Sequence, residues 1–169
     1  AELQPPSAIS ATLGGTYVFR LHQETSAQSQ APAAEVGSLA ISSGAATGSM
    51  DENLAGVFTS PNVTATFGTL SGPGRGTGTL VNSSTHFTTN FVYYIVDVSK
   101  FVLLVTNLNA VGSGRAELQS GLVGNGLSGN YVFGSRGDDS ILAGVATVGQ
   151  FNAASGAIAG TLDSSQDGT

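Results

Sequence analysis

The chain has 169 residues, of which 9% are charged, a net charge of −6, 24 glycines and no cysteine or tryptophan. An average soluble domain is about 25% charged, so hydroxyls, amides and glycine make up much of this surface, and disulfides and thiolate metal sites are excluded. The cations Lys100, Arg20, Arg75, Arg115 and Arg136 are scattered, which leaves no basic stripe for a phosphate backbone and argues against nucleic acid as a partner.

Helical periodicity is all but missing, and short alternating runs bounded by glycine predict half-buried strands. Thr16 to His22 is the first, with Tyr17, Phe19 and Leu21 on one face and Val18, Arg20 and His22 on the other. Ser26 to Val36 alternates small polar residues with alanine around Pro32 and reads as a loop. Strands are expected over 36–41, 46–53 and 62–70, and Gly72-Pro73-Gly74 is a turn. Residues 76–81 lead through the turn Asn82-Ser83-Ser84 into a long strand from His86 to Asp97. Val98-Ser99-Lys100 makes the next corner, 101–106 runs back, and 114–119 closes the set. Strand glycines such as Gly37, Gly76 and Gly78 suit bulges or bends where a sheet curls. About eight short strands without crossover helices predict an all-β, antiparallel up-and-down meander closing into a barrel, with a two-sheet sandwich as the alternative.

The pattern then starts again. Leu13 to Phe19 (LGGTYVF) returns as Leu127 to Phe133 (LSGNYVF), Ala1-Glu2-Leu3-Gln4 as Ala116-Glu117-Leu118-Gln119, and Gly44 to Asp51 as Gly156 to Asp163. All three spacings lie between 112 and 115 residues. The expected organisation is therefore the tail of one repeat plus a linker over 1–11, a complete repeat over 12–119 and the first part of another over 120–169.

Gly15 to Phe19 (GTYVF), Gly44 to Asp51, Gly74 to Thr77 (GRGT), Tyr94 to Lys100 followed by LLVT, and Gly114 to Gln119 (GRAELQ) give the chain a family likeness. In this order they resemble the tandem β repeats of large secreted proteins of acidobacteria-type environmental bacteria. The resemblance spans nearly the whole chain and carries no reactive side chain. It implies an extracellular or cell-surface, multi-domain polymer or adhesin-like stalk. Self-association into a filament through unit-to-unit or shared-strand contacts is expected from the incomplete second repeat, whose edges further strands or another chain would complete, and the residues give no ground to expect catalysis or a cofactor. A lysine-poor, threonine-rich composition agrees with export, and Ala1 to Pro6 has neither the basic start nor the apolar stretch of a signal peptide. No apolar run approaches the roughly 20 residues of a membrane helix, so no membrane span is expected.

A search for chemistry yields little. His22 and His86 are far apart and lack a carboxylate cluster at ligand spacing, so no metal site is expected. Asp51-Glu52, Asp138-Asp139 and the pair Asp163 and Asp167 are candidate carboxylates for Ca²⁺ or general acid/base work, but Asp51 and Asp163 fall at equivalent repeat positions, which suits turn caps. Asn62-Val63-Thr64 and Asn82-Ser83-Ser84 make Asn62 and Asn82 candidate glycosylation sites. Arg136-Gly137-Asp138 spells a cell-attachment tripeptide within an expected polar hairpin turn. The large aromatic residues are expected to fill the core. The alternative is a lipocalin-like barrel holding a small apolar ligand among them.

Overall fold

The structure is a computed structural model, and it describes residues 12–25, 31–120, 127–138 and 144–166. The 1–11 segment, with the Ala1–Gln4 half of one repeat match, lies outside the described residues, as do Asp139 and Asp167. The chain divides into two compact units, Ala1–Ser120 and Gly121–Thr169.

Among its described residues the first unit has nine strands: β1 (Gly15–Thr25), β2 (Ala31–Ser42), β3 (Ala45–Leu54), β4 (Val57–Thr59), β5 (Asn62–Phe67), β6 (Arg75–Asn82), β7 (Thr88–Asp97), β8 (Lys100–Val105) and β9 (Ala110–Leu118). The three-residue β4 pairs only with the end of β3. The other eight pair antiparallel with their sequence neighbours, and β9 returns to β1 with Tyr17 opposite Leu118. The sheet therefore closes into an eight-stranded up-and-down barrel and leaves none of those eight as a bare edge.

Alternation decides what goes inside. Tyr17, Phe19 and Leu21 of β1, Leu39 and Ile41 of β2, Ala46 and Met50 of β3, and Phe91, Tyr93 and Ile95 of β7 are all buried in one apolar cluster with Val63, Ala65, Leu80, Phe101, Val105 and Ala116. Tyr93 lies 5.4 Å from Phe67 and 5.9 Å from Phe101, ring centre to ring centre, and Tyr17 lies 5.5 Å from Phe101. These tilted and edge-on contacts suit the ring quadrupoles. Tyr17 also donates its hydroxyl to the carbonyl of Val98 at 2.7 Å, which ties β1 to the β7–β8 turn.

Two expectations need correction. Residues 31–36 are not loop but the first half of β2, with Pro32 opposite Glu24 at the rim and its carbonyl accepting from the Ala55 amide; residues 26–30 lie outside the described residues. The glycines of β6 mark no bulge, since β6 and β7 pair in unbroken register from Arg75–Tyr94 to Val81–Thr88. Gly76 stands opposite Tyr93 and Gly78 opposite Phe91, and a Cβ on either would come within 2.5 Å of the facing ring. Glycine is there as a seat for an aromatic ring.

The second unit is a three-stranded antiparallel sheet, β10 (Gly129–Asp138), β11 (Gly144–Ala154) and β12 (Ala157–Gln166). Its register matches that of β1 to β3 pair for pair. Tyr131 faces Phe151 as Tyr17 faces Leu39, Phe133 faces Gly149 as Phe19 faces Gly37, and Val148 faces Asp163 as Val36 faces Asp51. Ser155 and Gly156 turn at φ 51° and 80°, Ser43 and Gly44 at 50° and 81°.

Candidate functional site at the polar end of the barrel

The inward line of side chains changes character toward the end where β1 finishes and β2 begins. Gln23, Glu35, Asn82 and Thr89 are buried there. Strand parity puts Gln23 two residues beyond Leu21 on the inner face, between Ala33 and Gly112 of the neighbouring strands. A side chain on Gly112 would collide with Gln23, so glycine makes the room.

Gln23 Nε2 donates to Glu35 Oε1 at 2.5 Å. The other oxygens of the pair, Gln23 Oε1 and Glu35 Oε2, have no hydrogen-bond partner among the described residues. Burial pushes the Glu35 carboxyl up to about 7, against the pull of the Gln23 bond, and Glu52, directly opposite on β3, adds to the rise. Glu52 Oε2 accepts from Thr59 Oγ1 at 3.2 Å and from Asn82 Nδ2 at 3.5 Å. This cluster can hold or release one proton near neutrality. Among the described residues no group of three or more histidines and carboxylates is placed to hold a metal.

Sequence reasoning passed over Gln23 and Glu35. A glutamate two residues from Ala33 on the buried parity of β2 is visible only once β2 is known to start at Ala31, and the loop reading of 26–36 hid it. His22 and Glu24 lie on the outer face of β1, turned away from the pair, and His86 is exposed in the β6–β7 turn at φ 58°.

The candidate sugar sites differ. Asn62 opens β5 with its side chain exposed. Asn82 is 6% exposed, and its Oδ1 accepts from the amides of Ser84 and Thr85 at 2.9 and 3.2 Å. Its carboxamide is thus occupied as the cap of an Asx turn. Arg136 and Gly137 sit in β10, paired with Ala146 and Val145, where the sequence suggested a turn; Asp138 pairs with Gly144 through the backbone. Asp51 and Asp163 are likewise mid-strand instead of turn caps, and Asp51 accepts from Ser60 Oγ at 2.7 Å.

Compared with models of known protein families and with curated proteins, the chain matches none.

Proposed function

We propose that this chain is a structural segment of an extracellular bacterial fibre or surface stalk, made of β-barrel units joined in series and without catalytic activity. The observation that carries the reading is the register match between β10–β12 and β1–β3, down to the turn residues and the glycine beneath each phenylalanine. Repetition of a whole hairpin register at a spacing of 112 to 114 residues is what serial units require. The packing of Tyr17, Phe67, Phe91, Tyr93 and Phe101 against one another supports it too, because rings fill the barrel where a bulky apolar ligand would sit.

Electron microscopy of the native secreted material is the test. The proposal expects long particles with an axial repeat near one barrel, whereas discrete globules of one chain's mass would overturn it. In that event a ligand-binding barrel takes its place. Gln23 Oε1 and Glu35 Oε2, without a hydrogen-bond partner among the described residues, favour a small polar guest in such a barrel over an apolar one.

A further inference from the structure

The inner face of β1 to β3 is closed over by β5 to β9, whereas on the same face of β10 to β12 Ala153 is buried and Tyr131, Val145 and Phe151 are half-buried, but Phe133, Ile158 and Leu162 stand in the open. Phe133 is 38% exposed where Phe19 is 3%, Ile158 64% where Ala46 is 4%, and Leu162 61% where Met50 is 5%. The outer edges of the sheet, β10 on one side and β12 on the other, have no strand partner among the described residues. Apolar faces and bare edges of this kind are completed by further strands.

The first unit identifies the occupant. A sheet with this register and this glycine placement is covered there by five antiparallel strands whose inward residues are Val63 and Ala65, Leu80, Phe91 and Tyr93, Phe101 and Ala116. We propose that the open face of β10–β12 is built to seat a five-strand set of the β5–β9 pattern, which closes it into a second barrel. The proposal rests on the serial-repeat reading above, and it names the segment that such a repeat must bring.

The spacing of 112 residues puts Thr169 where Val57 stands in the first unit. The test therefore joins a copy of residues 58–119 directly after Thr169 and compares amide hydrogen exchange in the extended and original chains. Expected is a slowing of about 100-fold or more across 129–138 and 144–166 in the extended chain, with the first barrel unchanged. A second extended chain, carrying Phe91→Asp and Phe101→Asp in the appended copy, should lose that protection. Unchanged exchange in the extended chain overturns the proposal. So does an original chain that light scattering shows to be a dimer with β10–β12 already protected, since a second copy would then be the occupant. These readings concern one molecule in solution, so they stand or fall separately from the search for fibres.

Discussion

Glu35 is the residue whose chemistry departs furthest from its ordinary behaviour. The folded barrel holds its proton up to about pH 7, against 4.5 for an unperturbed glutamate. The folded state therefore binds more protons than the unfolded chain between those values. Stability from this group is greatest below pH 4.5 and declines as pH rises through 7, by about 3 kcal/mol in all. Replacing Glu35 with Gln keeps a neutral partner for Gln23 and removes the charge. Urea unfolding of Glu35→Gln should show a barrel more stable than the parent by about 3 kcal/mol at pH 8, by only about 1 kcal/mol at pH 5, and nearly equal to it at pH 4. Equal stability differences at all three pH values would mean that the carboxyl is already charged in the fold. Comparing the two proteins at each pH cancels the titration of the exposed carboxylates.

At the scale of elements, the barrel is held by pairings in which a glycine on one strand admits a ring from the next. Gly76→Ala should cost about 1–3 kcal/mol, because the new Cβ would come within 2.5 Å of a Tyr93 ring that is buried and packed against Phe67, Phe91 and Phe101, and chemical denaturation will read the shift. The β6–β7 turn hangs on Asn82: Asn82→Ala strands the amides of Ser84 and Thr85 and should cost about 1–2 kcal/mol. Asn62→Ala should leave stability within about 0.5 kcal/mol, and peptide mapping of secreted protein by mass spectrometry should place any sugar on Asn62 rather than Asn82. Much of this architecture was legible in the sequence, since alternation in Thr16–His22 and His86–Asp97 reports burial directly. The start of β2 was not, because Pro32 and the small residues around it carry the composition of a loop and are strand through pairing with β1 and β3. The Gln23–Glu35 pair shared that fate: whether two polar side chains on different strands meet inside a barrel depends on register, which local pattern does not encode.

At the scale of the whole molecule, equivalent residues in the two units do different amounts of work. Met50 and Leu162 sit at corresponding positions of β3 and β12, yet one is enclosed by the barrel and the other faces solvent. Truncation exposes the difference. Met50→Ala should destabilise the barrel by about 2–5 kcal/mol, while Leu162→Ala should move the barrel's unfolding midpoint by no more than about 0.5 kcal/mol. The asymmetry has a further consequence for the order of unfolding. Hydrophobic burial contributes roughly 25 cal/mol per Å² of apolar surface removed from water, and a lone three-stranded sheet whose third strand is exposed along its length has little of it. The β10–β12 sheet should therefore open at lower denaturant than the barrel, giving two transitions by circular dichroism, and proteases should trim it first to leave a resistant core of unit one. A single cooperative transition would mean that the sheet draws its stability from the barrel. If five further strands cover the sheet, Leu162→Ala becomes as costly as Met50→Ala, so this one substitution measures whether the second barrel has closed.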